Sequence, residues 1–389
     1  MRNRQTLAAW FLSLATLLAA GCSATPPATP AAPDATRPRT NAYYIAADEV
    51  TWDYAPSGSN QITGKPFDDM ANIWMKRGPD RIGHVYRKAL YREYTDSTFT
   101  SLKPRPPAWE HLGLQGPLLR GEVGDTIRIV FRNNARYSLS MHPHGVFYKK
   151  DSEGAPYEDG TTGADKADDA VPPGGTHTYV WPVPERAGPA AHDMSSVLWM
   201  YHSHVDEEKD INAGLIGPII VTARGMAKPD GTPKDVDREF VTLFAEMDEN
   251  LSLYLDENIQ TYAGNPASVQ KGTSFVDPFY LSNLKESING FVFGHTPMMT
   301  MQKGERVRWY VYAATNFEIH APHWHGNTVV ALHMRTDVLA LMSMGMVVAD
   351  MAPDNSGIWL FHCHVGPHFD AGMIARYSVV NPPAAARQR

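Results

Sequence analysis

Ten of the 16 histidines in this 389-residue chain fall in four short clusters, and one of its two cysteines lies inside the last cluster. The clustered histidines are His142 and His144; His202 and His204; His320, His323 and His325; and His362, His364 and His368. Cys363 stands between His362 and His364. Imidazole nitrogens and a thiolate are typical donors of transition-metal sites, so this spacing indicates metal chemistry.

Strand geometry sorts these donors into two kinds of site. Residues two apart in a strand face the same way and neighbours face opposite ways, so each His-x-His pair presents two rings to one side and Cys363 points to the other. His320, three residues before His323, shares the parity of Cys363. An electron-transfer copper uses two imidazoles, one thiolate and a weak axial thioether. The chain offers this set in His320, Cys363, His368 and Met373.

The four His-x-His pairs supply eight further ring nitrogens, enough for three metal ions with room for a small ligand. Packing alone is a poor explanation, because burying many imidazoles together costs desolvation energy that nothing offsets. The remaining histidines are interpreted as structural or surface residues: His84, His111, His177, His192, His295 and His333.

The motifs occur in two copies of one unit. Residues 117–145 and 299–326 share a Gly-acidic turn, an alternating strand and a His-x-His-Gly, and residues 198–217 match residues 358–375. The first copy differs only in the cysteine set: Ser203 replaces Cys363, the position of His368 falls within residues 206–210, and Leu215 aligns with Met373. Duplication of this kind predicts two similar domains, of which only the second holds the cysteine site.

Short β-rich runs separated by Gly, Pro, Asp and Asn turns predict an all-β protein of two sandwiches. The runs are Thr126 to Phe131, Val307 to Tyr312, Val329 to His333 and Ile358 to His362. We predict domains at residues 41–225 and 237–381, because residues 224–236 are polar and turn-rich. A short helix is expected within residues 249–259.

The N-terminus indicates export. Arg2 and Arg4 precede an apolar run too short to span a bilayer, and Cys22 follows small residues as in a bacterial lipobox. We predict a lipoprotein-type signal peptide at residues 1–21 and a Pro/Ala-rich tether at residues 22–40, with plain secretion as the alternative. Membrane contact would then be through Cys22 alone, at the periplasmic side or cell surface. The net charge of −7 disfavours nucleic acid as a partner.

These motifs resemble those of the multicopper oxidases. HCHVGPHFDAGM (362–373) matches the family pattern His-Cys-His-x3-His-x4-Met, HAPHWHG (320–326) matches His-x2-His-x-His-Gly, and HPHG (142–145) and YHSHV (201–205) match the two pairs of the first domain. Stretches such as EGAPYEDGTT (153–162) look like the ceruloplasmin branch, whereas the two-domain length is similar to that of small, two-domain laccases. The resemblance implies two cupredoxin-like Greek-key domains.

The resemblance also implies a copper-dependent oxidoreductase that couples one-electron oxidation of a substrate to reduction of O2 to water, with four coppers in each chain. By resemblance, type 2 copper is bound by His142 and His323. The type 3 pair is bound by His144, His202, His204, His325, His362 and His364. Type 1 copper is bound by His320, Cys363, His368 and Met373. Electrons would enter at His368 and leave through Cys363 toward His362 and His364.

Two domains do not close the ring of domains that such enzymes need, so the resemblance implies a homotrimer. Each trinuclear cluster would lie between the first domain of one chain and the second domain of the next, which is a heterologous interface that closes.

The reducing substrate stays open. A laccase-like oxidation of phenols is the least demanding assumption, because it needs only an exposed edge of His368. Acidic residues suit Fe(II) instead: Glu246, Asp248, Glu249, Asp256 and Glu257. Methionines in residues 342–346, read as an alternating strand, suit Cu(I), although core filling is the commoner use of methionine. A copper nitrite reductase, which Ser203 disfavours, and a non-catalytic copper-binding lipoprotein are the other classes.

Overall fold

The computed structural model describes residues 38–315 and 318–383, which are mostly β with a few short helices. The predicted signal peptide, the lipidation site at Cys22 and the tether up to residue 37 lie outside the described residues. None of the helices in the described part of the chain is long and apolar enough to cross a lipid bilayer.

The first half of the described chain contains eight strands in two four-stranded sheets. The strands are β1 (Thr40–Asp53), β2 (Val85–Tyr94), β3 (Leu119–Glu122), β4 (Thr126–Asn133), β5 (His142–Pro143), β6 (Thr176–Pro182), β7 (Ser196–His202) and β8 (Ile216–Thr222). One sheet has the order β2-β1-β4-β6 and the other β3-β8-β7-β5. In β4 every second side chain is buried, because its isoleucines alternate with polar residues.

The second half contains ten strands, in one six-stranded and one four-stranded sheet. The strands are β9 (Arg238–Asp248), β10 (Leu284–Ile288), β11 (Met299–Gln302), β12 (Val307–Ala313), β13 (Pro322–Trp324), β14 (Val329–Ala331), β15 (Met334–Thr336), β16 (Met346–Met351), β17 (Gly357–Cys363) and β18 (Ile374–Val380). The sheet orders are β10-β9-β12-β16-β14-β15 and β11-β18-β17-β13. The histidine motifs of both halves therefore lie on four-stranded sheets.

Short helices connect the strands. The α-helices are α1 (Asn72–Met75), α2 (Glu207–Ala213), α3 (Leu255–Tyr262), α4 (Pro278–Ser282) and α5 (Gly366–Asp370). Short 3-10 helices lie at Pro107–Leu112, Lys150–Ser152, Gly163–Lys166, Glu185–Ala187 and Pro266–Ser268. Each half has its own apolar core, and another apolar core joins the halves through residues such as Met200 of β7 and Tyr310 of β12.

The predicted all-β class is confirmed, and the four predicted strand runs correspond to β4, β12, β14 and β17. His333 is an exception, because β14 ends at Ala331 and His333 adopts a positive φ of 61° in the following turn. The expected short helix is α3, shifted toward the C-terminus. The domain limits 41–225 and 237–381 stay predictions.

The methionine-rich run is not the alternating strand that the sequence predicts. Gly345 donates its backbone N–H to the Met342 carbonyl at 2.9 Å, which makes residues 342–345 a turn, and β16 begins only at Met346. Met342 is exposed, whereas Met344 and Met346 pack against the apolar core between the halves. The three thioethers therefore do not line one strand face, which disfavours the Cu(I)-binding alternative, and Met344 and Met346 fill space beside the core as the commoner use of methionine predicts.

Candidate metal centres

Cys363, the last residue of β17, lies beside two buried histidines. Its Sγ is 3.5 Å from Nδ1 of His368 in α5 and 4.0 Å from Nδ1 of His320, which precedes β13. All three side chains are buried. The backbone N–H of Ala321 donates to the sulfur at 3.3 Å. We call His320, Cys363 and His368 the cysteine site; strand parity predicted this grouping.

Met373 is tied to this site through the backbone. Its carbonyl accepts a hydrogen bond from the Cys363 N–H at 3.1 Å, and its own N–H donates to the His368 carbonyl at 2.9 Å. Its side chain is fully buried in the same apolar core as Cys363. The position suits the weak axial thioether that the sequence predicts.

Behind Cys363, four histidines meet where β13 pairs with β17. His323 and His362 are direct partners across the two strands. Nε2 of His362 lies 2.9 Å from Nε2 of His325 and 3.2 Å from Nδ1 of His323. The His364 ring centroid is 5.1 Å from that of His323. We call these four residues the second half-site.

The first half of the chain repeats this arrangement where β5 pairs with β7. His142 and His202 are direct partners, as His323 and His362 are. Nε2 of His144 lies 3.0 Å from Nε2 of His202, and the His142 and His204 ring centroids are 5.1 Å apart. His142, His144, His202 and His204 form the first half-site.

The two half-sites are separate groups within the described residues. Each ring contact among these eight histidines joins residues of the same half-site. The structure therefore brings together the four predicted residues of each half but does not bring the halves together in one chain.

Backbone carbonyls set the orientation of several rings. Nδ1 of His142 lies 2.7 Å from the Glu153 carbonyl, and Nδ1 of His202 and of His362 contact the carbonyls of the residues that follow them. A carbonyl accepts a hydrogen bond, so Nδ1 carries the proton and the Nε2 lone pair faces the half-site.

The chemistry of these groups fits bound metal. Burial lowers the pKa of His202 to about 3 and of His144 and His362 to about 4, so the rings are neutral donors near neutral pH. Lone pairs that face one another at about 3 Å need a proton or a cation between them. Burial raises the pKa of the Cys363 thiol, and a coordinated metal would deprotonate it. Both half-sites and the cysteine site therefore fit metal ions.

The first half carries a hydrogen-bonded replacement for the cysteine site. The Ser140 N–H donates to Ser203 Oγ at 3.1 Å, as the Ala321 N–H does to Cys363. The Ser203 hydroxyl donates to buried Asp210 at 2.6 Å, and the Ser203 N–H donates to the Leu215 carbonyl. Ser203 thus keeps the backbone hydrogen bonds of Cys363, but its side chain contacts the Asp210 carboxylate where that of Cys363 contacts histidines.

A glycine packed against a tryptophan follows the first His-x-His of each half, at residues 142–144 and 323–325. Gly145 has φ 76° and Gly326 φ 72°, and a Cβ on either would lie within 2.6 Å of ring atoms of Trp199 or Trp359. The two indoles donate to the carbonyls of Ala187 and Asn355. The glycines let each tryptophan pack directly against the turn that carries the histidines.

We expect Gly145→Ala to destabilise the protein by about 2 kcal/mol more than Gly160→Ala, because it adds a clash to the strain of a positive φ. Gly160 has φ 78° with nothing within 4 Å of an added Cβ, so it controls for backbone strain. Chemical denaturation of both variants measures the difference. Equal losses would show that Trp199 moves freely and does not hold the turn.

Two acidic residues that the sequence analysis did not select lie next to the cysteine site. Glu318 Oε2 is 3.3 Å from Nε2 of His368, and Glu286 Oε2 is 3.8 Å from its Nδ1. Glu246, which was selected, pairs directly with Glu286 across β9 and β10. Parity could have indicated Glu318, because it stands two residues before His320. No sequence pattern links Glu286 to the site.

The other selected acids have different partners. Asp248 accepts from the Tyr280 hydroxyl and from Asn250. The remaining three form ion pairs: Glu249 with buried Lys88, Asp256 with Lys271 and Glu257 with Arg136. Of the five predicted acids, only Glu246 lies at the site.

Comparison with known protein families gives two matches along the chain. Residues 112–225 and 263–383 each match a family described as multicopper oxidase. The two matches cover both half-sites and the cysteine site.

Curated relatives match across both halves. The chain is 46% identical over 346 residues to the ferroxidase HEPHL1 of Homo sapiens, 45% identical over 350 residues to hephaestin of Rattus norvegicus, and 40% identical over 342 residues to ceruloplasmin of Rattus norvegicus. These matches cover 87–88% of this chain but only 29–32% of each relative. The chain thus spans about a third of the length of these relatives.

Solved structures show the same fold. A crystal structure of a multicopper oxidase superposes with a TM-score of 0.53 at 16% identity, covering 87% of this chain and 88% of the other. The multicopper oxidase mgLAC gives a TM-score of 0.55 at 19% identity, with 88% and 86% covered.

Proposed function

This chain belongs to the multicopper oxidase family, and from that premise we propose that it is a ferroxidase, which oxidises Fe(II) and delivers the electrons to O2. The observation that carries the proposal is the contact of Glu318 with the outer nitrogen of His368. Similarity to proteins such as the ferroxidase HEPHL1 supports this substrate over a phenol.

Copper is the cofactor that the family implies, and the donor sets fit it. The cysteine site with Met373 would hold type 1 copper. By resemblance, His142 and His323 would hold type 2 copper. The six other half-site histidines would hold the type 3 pair: His144, His202, His204, His325, His362 and His364. When bound, copper supplies the one-electron acceptor at Cys363 and the reduction of O2 at the histidines.

Three carboxylates provide the binding site for Fe(II): Glu246, Glu286 and Glu318. Burial, together with the charges of Glu318 and Asp248, raises the pKa of Glu246 to about 7. Burial and the neighbouring Glu246 also raise the pKa of Glu286. Like charges held this close favour either a shared proton or a cation. Oε2 of Glu286 has no hydrogen-bond partner among the described residues, which leaves a buried oxygen donor free for a metal substrate.

The accessible member of this group is Glu318. Its side chain is 35% exposed, whereas that of Glu286 is only 6% exposed. Fe(II) can therefore reach Glu318 from solvent and, once bound there, lies next to His368. Carboxylate ligands also stabilise Fe(III) more than Fe(II), because the charge is higher, and so favour loss of the electron.

The chain also supplies the link between the two kinds of site. Cys363 is joined by peptide bonds to His362 and His364, and Nδ1 of His362 contacts the Cys363 carbonyl at 2.7 Å. A covalent path therefore runs from the sulfur to two rings of the second half-site. The path runs only through two side chains and the one peptide bond between them, so no diffusing carrier is needed.

We propose that three chains assemble so that the first half-site of one chain meets the second half-site of the next. Each half-site offers four histidines, of which three are at least partly exposed. Three copies of the chain also approach the length of one curated relative. A heterologous interface that closes after three subunits satisfies every half-site.

The signal-like N-terminus supports export, and Cys22 supports a lipid anchor at the periplasmic or outer cell surface. An exported oxidase with a tether would meet Fe(II) outside the cytoplasm. Phenol oxidation at His368 is the less favoured second activity, because the carboxylates flank that edge.

We expect Glu318→Gln to lower kcat/KM for Fe(II) by about tenfold or more while changing the rate with a small neutral phenol less than about twofold. The amide keeps the size of the side chain and removes the charge that binds the metal. Steady-state O2 consumption with each reductant measures both values. Asp256→Asn is the control, because Asp256 is exposed and paired with Lys271. An equal loss with both reductants would contradict an iron-binding role.

A further inference from the structure

Aromatic side chains form a continuous file from the cysteine site to the surface. The file starts at His320 and ends at Trp109, in the 3-10 helix Pro107–Leu112. The ring centroids are 6.0 Å apart for His320–Phe244, 5.3 Å for Phe244–Phe361, 5.0 Å for Phe361–Trp309, 4.9 Å for Trp309–Phe240, 5.4 Å for Phe240–His111 and 5.5 Å for His111–Trp109. Each ring contacts the next, so π-systems bridge the whole distance.

Trp309, in the middle of the file, has a buried indole N–H without a hydrogen-bond acceptor among the described residues. Its side chain is fully buried. The indole N–H of Trp324, whose ring centroid lies 5.7 Å from that of Trp309, also lacks an acceptor. An unpaired buried donor costs free energy and calls for an explanation. An indole that has lost one electron is a strong acid. Because the N–H of Trp309 has no acceptor in the described part of the chain, the oxidised ring keeps its proton, and it can regain an electron reversibly from the next ring.

The outer end of the file opens into a groove of about 720 Å³. Trp52, Trp109 and Phe291 supply aromatic walls. The Arg105 guanidinium lines the groove and donates only to the carbonyls of Gly113 and Gln115, at 2.7 and 2.6 Å.

Within the described residues, no carboxylate lies at ion-pair distance from Arg105. The neighbouring cations Arg120 and Lys103 are both paired with glutamates. Aromatic walls beside a largely buried cation with no carboxylate partner among the described residues, in a volume typical of small-molecule sites, fit a planar aromatic anion. The exposed Glu110 is the one unpaired carboxylate of the lining in the described part of the chain.

We propose that this groove binds an aromatic anion that carries a phenol and that the tryptophan file is a second electron entry to the cysteine site. The phenol loses one electron to the file and its proton to solvent, leaving a phenoxyl radical. Trp109 and Trp309 carry the electron inward to the metal centre at Cys363. This second electron entry rests on the proposed function, because the electrons that reach the cysteine site must be passed on to O2 before that site can accept another.

Binding is tested first, on the intact copper-loaded protein, by titration calorimetry with 2-naphthoate, which has no phenol to oxidise. We expect saturable binding of one molecule per chain, about tenfold weaker in Arg105→Gln. Thermal denaturation checks that the variant is folded. Lys65→Gln, an exposed lysine outside the groove, is the control and should bind normally. The absence of saturable binding, or equal affinity of all three proteins, overturns the groove assignment.

Electron entry is tested by following anaerobic bleaching of the blue absorption by 6-hydroxy-2-naphthoate. We expect Trp109→Phe and Trp309→Phe to slow bleaching about tenfold or more, because phenylalanine is much harder to oxidise than tryptophan. Trp181→Phe is the matched control, since Trp181 is equally buried but lies in the first half. Trp109 is half-buried, so its variant tests the file even if Trp309→Phe does not fold.

Bleaching by Fe(II) separates this inference from the proposed function. Fe(II) enters at Glu318, so its rate should be the same in all three tryptophan variants. Unchanged bleaching by the naphthol in Trp109→Phe overturns the file while leaving the ferroxidase proposal intact. Failure of Fe(II) to bleach the unmodified protein overturns the ferroxidase proposal but not the groove, which calorimetry judges by itself.

Discussion

We expect Cys363→Ser to abolish the intense blue absorption of the copper-loaded protein and to reduce Fe(II) oxidation to the level of the copper-free protein. The thiolate is the donor that gives an electron-transfer copper its colour and its potential. It is also the covalent start of the path to His362 and His364. Serine keeps the size and still accepts from the Ala321 N–H, so the loss would reflect the sulfur and not the fold. Absorption and O2-consumption measurements on the purified variant check both effects.

The first half of the chain provides a matched control for this substitution. Ser203→Cys places a thiol in the equivalent backbone frame, where the Ser140 N–H already contacts the side-chain oxygen. The partner there is Asp210 and not a pair of histidines, so we expect no second blue centre. Retention of the blue absorption in Cys363→Ser would place the centre elsewhere.

Two of the three members of the cysteine site were predictable from strand parity. Parity alone separates Cys363 from its neighbours and groups it with His320. The structure adds that β17 ends at Cys363, so His364 lies beyond the strand. His364 still approaches His323, because its backbone N–H donates to the Ala321 carbonyl at 2.8 Å. Local spacing therefore sufficed for residues on one strand and the turn after it.

The acidic site was only partly predictable, because three separate elements build it. Glu246 and Glu286 meet through the register of β9 and β10, which are separated by α3 and α4. That register follows from packing of the whole sheet and has no short sequence signature. Composition drew attention to the acids at residues 246–257, of which all but Glu246 have partners elsewhere. Long-range pairing thus decided which carboxylates could bind iron.

The Cu(I)-binding alternative for the methionines, which was less favoured than core filling, fails for a related reason. Alternation over five residues fits a strand, but Gly345 permits the turn that begins at Met342. Met344 takes a positive φ of 58°, which is strained for a side chain of this size. Tertiary packing between the two halves overrides the local pattern there, because Met344 contacts the shared core.

Two inactive variants should restore activity when they assemble together. His144→Ala disables the first half-site, and His325→Ala disables the second half-site without touching the cysteine strand. Each variant alone leaves every trinuclear cluster incomplete, so each should be inactive and short of copper. If clusters form between chains, a first half-site from the His325→Ala chain can meet a second half-site from the His144→Ala chain, and that cluster is complete.

The expected recovery follows from the closed ring of three subunits. Any trimer that contains both variants, in either ratio, has one subunit interface at which an unchanged first half-site meets an unchanged second half-site. It should therefore show about one third of the unmodified activity. Co-expression with two different affinity tags and sequential purification isolates such mixed trimers. Separately expressed variants that are mixed without subunit exchange are the control and should stay inactive. Because a cluster built within one chain would lack a ligand in both variants, inactive mixed trimers would show that each chain completes its own cluster.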